Sequence, residues 1–294
     1  MNIAFIHLSD FHINNNDRIN YSTIDSIVNS LKRLKKIDKY ILIISGDIAY
    51  SGKINEYRNA RQAISLIIRK IKTELLNDYI KVVMVPGNHD LCLVKDARDR
   101  KVIQSHYDNG KIDDLLHGEQ EFLSNYYDFS YSTGFNSNGI VKNELYNVDD
   151  YIIQFNLINT APFSTLEPND KELHYFPEDG YSILKKNKRA NLCITVMHHS
   201  CEWFNWNSKS SLEQTIMDNS EILFFGHDHT GYTASSTIND SSELCISAAS
   251  KLRLEKEPEY NDGFNVVVFD TEKNTVNGTV FRWESNNKLL WQNE

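Results

Sequence analysis

Cysteine is scarce in this chain of 294 residues, and the four present (Cys92, Cys193, Cys201 and Cys245) show no C-x-x-C spacing. They read as reduced thiols of a reducing compartment, not as a disulfide framework. Long apolar runs are missing as well: none approaches the roughly 20 residues that a membrane-spanning helix needs. The opening Met1-Asn2-Ile3-Ala4 lacks the basic and apolar regions of a signal peptide, so a cytoplasmic protein without membrane contact is expected. Positive charge is in short supply, with a net charge of −9. There is no lysine and arginine stripe for gripping a duplex, and the basic Lys185–Arg189 reads as a solvated turn. Internal repeats and low-complexity linkers are absent too. A small anionic substrate stays within reach, because bound divalent ions supply local positive charge.

What the chain does have is five short polar runs, each directly behind an apolar, β-prone stretch. Asp10-Phe11-His12 follows Ile3–Leu8, Gly46-Asp47 follows Tyr40–Ser45, and Gly87-Asn88-His89-Asp90 follows Ile80–Val85. His198-His199 follows Leu192–Met197, and Gly226-His227-Asp228-His229 follows Ile222–Phe225. The runs offer oxygen and imidazole donors and no thiolate. Seven plausible donors are more than the three that a single catalytic zinc takes, so two divalent ions are expected.

Helical spacing of apolar residues predicts helices over about Tyr21–Lys36 and Glu56–Leu76, with core-facing stripes. The β-α-β-α-β order implies parallel strands, whose carboxyl ends are where ligands bind in open α/β sheets. From about Leu91 to Asp150 the alternation fails. This stretch is rich in Tyr and Phe (Phe122, Tyr126, Tyr127, Phe129, Tyr131, Phe135). It reads as two short helices and an exposed turn at Ser132–Gly139, either capping the site or forming a packing layer. Beyond Tyr151 strands return, with a helix over Ser210–Asn219 and alternating strands over Cys245–Ser250, Gly263–Asp270 and Thr275–Trp283. The expected fold is α/β, an αββα sandwich of two stacked mixed sheets with flanking helices, in one domain over 1–294.

Asp10 and His12 stand two apart, so in extended backbone their side chains share one side. Asp47 has two carboxylate oxygens and can bridge two ions. Asn88 offers an amide oxygen that coordinates without adding charge. His227 and His229 repeat the two-apart spacing and could serve one ion each or the same one.

The succession Asp-x-His, Gly-Asp, Gly-Asn-His-Asp, His-His, Gly-His-x-His resembles that of the calcineurin-like metallophosphoesterases, over nearly the whole chain. The resemblance implies a two-sheet sandwich with a dinuclear site at the strand ends. One metal would be held by Asp10, His12 and His229, the other by Asn88, His198 and His227, with Asp47 bridging. His198 is favoured over His199 as the ligand. His89 would face the phosphate and assist the leaving oxygen, oriented by Asp90, so that Asn88, His89 and Asp90 form the catalytic set. Ser200 departs from the proline that many relatives carry there, which puts the local loop shape in doubt. The implied chemistry is attack on a phosphodiester or phosphomonoester by a hydroxide bridging two ions (Mn, Fe or Zn).

The small size and missing basic track make the chain resemble bacterial class III cyclic-nucleotide phosphodiesterases. A cyclic nucleotide, nucleotide or glycerophosphodiester is then the expected substrate. An SbcD-type nuclease acting on DNA or RNA is the alternative, and a non-catalytic scaffold is a third reading. Trp203, Phe204 and Trp206 could stack on a nucleobase or wedge their loop against the Leu91–Asp150 segment. His7 and His106 read as structural. The exposed aromatics would suit a homodimer.

Overall fold

Strand β1 (Asn2–Leu8) is buried at every position but its first, as expected of a strand covered on both faces. In the computed structural model, which describes residues 1–14, 18–34, 36–92, 121–135, 138–165, 170–238, 242–283 and 289–292, β1 lies at the centre of the first sheet. Parallel to it run β2 (Lys39–Ile44) and then β3 (Ile80–Met84). The crossovers are helices α1 (Tyr21–Leu31) and α2 (Ile54–Glu74). On its other side β1 pairs antiparallel with β10 (Gly263–Asp270), followed by β11 (Thr275–Trp283) and β12 (Leu289–Gln292).

The second sheet has the order β4-β5-β6-β7-β9-β8. Its parallel core is β5 (Tyr151–Ile158), β6 (Leu192–Met197), β7 (Ile222–Phe225) and β9 (Ser242–Ala248). Antiparallel edges are supplied by β4 (Val141–Val148) and β8 (Tyr232–Ile238). The sheets meet through Phe5, whose ring centroid lies 6.5 Å from Phe155 and 6.1 Å from Phe224. Beneath the strand ends they are also joined by a buried polar relay. His7 Nδ1 lies 2.9 Å from Ser247 Oγ and His7 Nε2 lies 2.8 Å from Ser45 Oγ, while Asn265 Nδ2 donates to Ser247 Oγ over 3.0 Å. All four cysteines are free thiols.

Several elements differ from the sequence reading, among them the helix expected over Ser210–Asn219, which starts at Trp206 because Asn205 caps it by accepting from the Ser208 N–H. Helix α1 stops at Leu31, short of Lys36, because Arg33 and Leu34 donate to Ser30 and Leu31 and tighten the last turn. Helix α2 starts earlier than expected, because the Glu56 carboxylate accepts from the backbone N–H of Ser51 and Lys53 and organises the first turn. The Leu91–Asp150 stretch is not helical throughout: Val141–Val148 is the edge strand β4. Its described helix, α3 (Ser124–Ser132), packs on α2, with Phe129 stacked on Tyr57 at 5.0 Å. Residues 93–120, including His106, and residues 136 and 137 of the Ser132–Gly139 turn lie outside the described residues.

Phe5 is the fully buried hinge between the sheets, so Phe5→Ala leaves a cavity that neither sheet can collapse into. A loss of about 3–5 kcal/mol is expected, seen as a lower urea midpoint at unchanged slope. A midpoint equal to that of the wild type would contradict the packing described.

Candidate metal centre

The five polar runs come together where the parallel strands of both sheets end. β1, β2 and β3 of the first sheet deliver Asp10, His12, Asp47 and Asn88, and β6 and β7 of the second deliver His198, His227 and His229. On one side His229 Nε2 lies 3.1 Å from Asp10 Oδ1 and 3.5 Å from His12 Nε2, which is itself 3.9 Å from Asp10 Oδ1. On the other, Asn88 Oδ1 lies 3.1 Å from His198 Nε2 and 3.0 Å from His227 Nδ1, with those two nitrogens 3.2 Å apart. Asp47 stands between the two trios. Its Oδ1 is 3.3 Å from His198 Nε2 and its Oδ2 is 3.8 Å from His12 Nε2.

The backbone that does this is not extended, contrary to the reading of Asp10 and His12. Five of the seven residues are left-handed: Asp10 (φ 56°), His12 (46°), Asp47 (52°), His227 (69°) and His229 (54°). Each such turn costs an L-residue about 1–2 kcal/mol, least for Asp, Asn and His. The strain is held by backbone bonds between neighbouring loops: Asp10 N–H to Gly46 O at 3.1 Å, His12 N–H to Asp47 O at 3.0 Å, and Gly226 N–H to His198 O at 3.0 Å. Room is equally tight. Gly46 has φ +104°, and a Cβ there would lie 2.5 Å from His198 Nδ1.

A cluster of buried and half-buried acceptors held this close calls for a cation. The Nδ1–H of His198 is used on the Ser45 carbonyl, 2.7 Å away. That leaves Nε2 aimed at the Asn88 oxygen and the His227 nitrogen, so the lone pairs repel unless a proton or a metal lies among them. Oxygen and imidazole donors in this proportion suit divalent metal ions. Residues 3–231 match the family model of the calcineurin-like phosphoesterases. The chain belongs to that family.

A curated relative, named a probable cyclic nucleotide phosphodiesterase, from Vesicomyosocius okutanii subsp. Calyptogena okutanii (strain HA), is 25% identical over 211 residues, covering 69% of this chain and 82% of that protein. Another so named, from Ruthia magnifica subsp. Calyptogena magnifica, is 30% identical over 95 residues, 31% of this chain and 35% of its own. Among solved structures, a dimetal phosphatase from Danio rerio aligns over 90% of this chain and 92% of its own at 15% identity and a TM-score of 0.47. Calcineurin-like phosphoesterases are hydrolases that generally use divalent metals, and the donor groups at these sheet ends fit such ions.

The electrostatics of this phosphoesterase centre follow from burial and mutual charge. Burial alone would raise the carboxyl of Asp10, but the His229 hydrogen bond and the neighbouring His198 outweigh it and hold it below its usual range. Burial would likewise raise Asp47, yet the charge and hydrogen bond of His198 keep it ionised. Burial pushes His12 down to about 4 and His227 down to about 3, so both are neutral at pH 7. His198 goes the other way: against the effect of burial, Asp47 raises it to about 9. A proton on His198 thus does in the metal-free protein what a cation would do when bound.

The surrounding residues sit differently from expectation. His89 Nδ1 lies 2.8 Å from the Tyr50 carbonyl, so the ring is oriented by that carbonyl and not by Asp90. Buried Asp90 accepts from the backbone N–H of Ile48 (3.3 Å), Ala49 (3.0 Å) and Gly87 (2.9 Å) and from Tyr57 Oη (3.0 Å). It therefore braces the loop that carries Tyr50. His199 Nδ1 contacts Thr160 Oγ1 at 2.7 Å, while its ring packs beside His227 at 4.3 Å.

Trp203 stands edge-on to His227 at 4.2 Å and donates to Asp228 over 3.3 Å. Phe204 packs on Phe176 and His174, and Trp206 is 79% exposed. The carbonyls of Ser45 and Tyr50 were invisible in sequence, because a backbone acceptor leaves no residue signature. Tyr57 was hidden within a helical core stripe.

Substituting Gly46→Ala forces a Cβ into His198 at a left-handed position. It should lower stability by about 1–3 kcal/mol, read as a fall in thermal midpoint of the metal-free protein. An unchanged midpoint would mean the strand ends are looser than described.

Proposed function

We propose that this phosphoesterase hydrolyses a small phosphodiester at a two-ion centre held by Asp10, His12 and His229 on one side and Asn88, His198 and His227 on the other. The observation that carries the reading is Asp47, whose two oxygens face opposite trios. When bound, divalent ions supply Lewis acidity towards phosphate oxygens and a nucleophilic water at neutral pH. The rest is the work of this chain's own residues. Asp10 and Asp47, both ionised, balance the charge of the ions. Asn88 contributes an uncharged oxygen, and its amide hydrogens remain for a phosphate oxygen as charge builds in the transition state.

His89 is fixed twice, by its backbone N–H on Asp47 Oδ1 at 2.8 Å and by its ring on the Tyr50 carbonyl. Its Nε2 is thereby left to protonate the leaving oxygen. Asp90 is a positioning residue in this scheme, acting through the Ile48–Tyr50 loop. The relative named a probable cyclic nucleotide phosphodiesterase supports a small diester as substrate. Four free thiols agree with a cytoplasmic setting.

Two variants separate metal holding from catalysis in a bis-p-nitrophenyl phosphate assay with Mn²⁺. Asp47→Ala should abolish turnover by removing the shared carboxylate. His89→Ala should keep its metal content and lose about 10²–10⁴-fold in kcat. Full activity of Asp47→Ala would sink the two-ion reading, and metal loss from His89→Ala would make His89 a ligand.

Loading must also displace the His198 proton. Calorimetric titration of Mn²⁺ into the metal-free protein at pH 7, in buffers of different ionisation enthalpy, should report net release of at least one proton. His12 and His227, already neutral, add none. A buffer-independent enthalpy would contradict the charge state assigned to His198.

A further inference from the structure

Beside the centre, on the His12 side, lies a cleft of about 280 Å³ lined by Phe11, His12, Tyr50, Lys251 and Arg253, among others. A second cavity of about 320 Å³, mostly apolar and running between Met197, Ile216 and Phe225, is lined by none of the seven centre residues. Of these two, the cleft shares a wall with the chemistry, through His12.

The cleft is cationic in a chain whose net charge is −9. Leu252 and Leu254, both fully buried, anchor the β9–β10 connection, which turns the alternate residues Lys251, Arg253 and Glu255 towards the cleft. Two of these three are already engaged. Arg253 Nε sits 3.3 Å from Asp262 Oδ2, and its guanidinium also pairs with Glu259. Glu255 accepts from the Asn14 N–H at 2.8 Å. Lys251 has no ion pair among the described residues. The same cleft is lined by Tyr50, 56% exposed, with its ring centroid 6.5 Å from that of His12 and 5.6 Å from that of His89. An unpaired ammonium and an open aromatic face, one wall away from a phosphate site, match a substrate with more anionic charge than a single diester carries.

We infer that this cleft binds a second phosphate of a small nucleotide substrate, adjacent to the phosphate that is cleaved, with Lys251 as its charged contact and Tyr50 stacked on the nucleoside. This rests on phosphoester hydrolysis at the neighbouring centre. A cyclic nucleotide, having one phosphate, leaves Lys251 unused, so dinucleotides joined by two phosphates are the better class of substrate.

The test is a ratio of kcat/KM in the Mn²⁺-loaded protein: diadenosine diphosphate over adenylyl-(3′→5′)-adenosine, which has the same bases and one phosphate. Lys251→Met should lower this ratio about tenfold, the effect expected of losing one charge-assisted hydrogen bond, mainly through KM. Lys251→Arg should restore it. Binding provides a readout independent of turnover. Adenosine 5′-(α,β-methylene)diphosphate should bind the wild type about tenfold more tightly than AMP, with the gap closed in Lys251→Met and kept in Lys251→Arg.

An unchanged ratio and an unchanged gap, with bis-p-nitrophenyl phosphate still hydrolysed, overturn the cleft assignment alone. Wild type inactive on bis-p-nitrophenyl phosphate overturns the hydrolase reading beneath it. A Lys251→Met defect seen with short oligodeoxyadenylate but not with diadenosine diphosphate moves the second phosphate to a nucleic-acid backbone, and so overturns the small-substrate form.

Discussion

Donor atoms that need a shared proton or cation are held together here, and most of the structure exists to keep them so. Asn88 Oδ1, His198 Nε2 and His227 Nδ1 lie 3.0–3.2 Å apart, and Asp10, His12 and His229 form a second such group. Neither group would gather on a flexible scaffold. Two sheets whose central strands are buried on both faces supply the rigidity, and the packing of Phe5 on Phe155 and Phe224 fixes how far apart their ends stand.

The cost of convergence is visible in the backbone. Asp10, His12, Asp47, His227 and His229 turn left-handed at the strand ends, a conformation that persists where surrounding structure over-determines it. Loop-to-loop hydrogen bonds and the close fit of Gly46 against His198 do this. Below them the His7 relay joins Ser45 to Ser247, and Ser45 also lends its carbonyl to His198. One buried network thus aligns a donor and ties the two sheets together. On the rim, Asp90 and Tyr57 hold the loop whose Tyr50 carbonyl aims His89.

The strand ends were legible because each apolar run stops at residues that no core would accept. Buried parallel strands and oxygen or imidazole donors leave strong local signals. Helix α2 was legible from its apolar spacing, although its start was set by Glu56, a single capping carboxylate. The edge strands of the second sheet were not legible: β4 (VKNELYNV) and β8 (YTASSTI) carry too little apolar alternation to stand out from loop sequence. Left-handed turns at Asp and His have no signature of their own, so extended backbone was the natural but mistaken reading for Asp10 and His12. The partner of His89 was missed for a similar reason, since it is a carbonyl, and any residue could have supplied it.

The central claim is that two ions share Asp47. Metal content by elemental analysis, combined with anomalous scattering from Mn²⁺-loaded crystals, tests it most directly. Two ions per chain are expected, one among Asp10, His12 and His229 and one among Asn88, His198 and His227, with an oxygen of Asp47 on each. A single ion, or a second ion held by His199 or His89 away from Asp47, would contradict it.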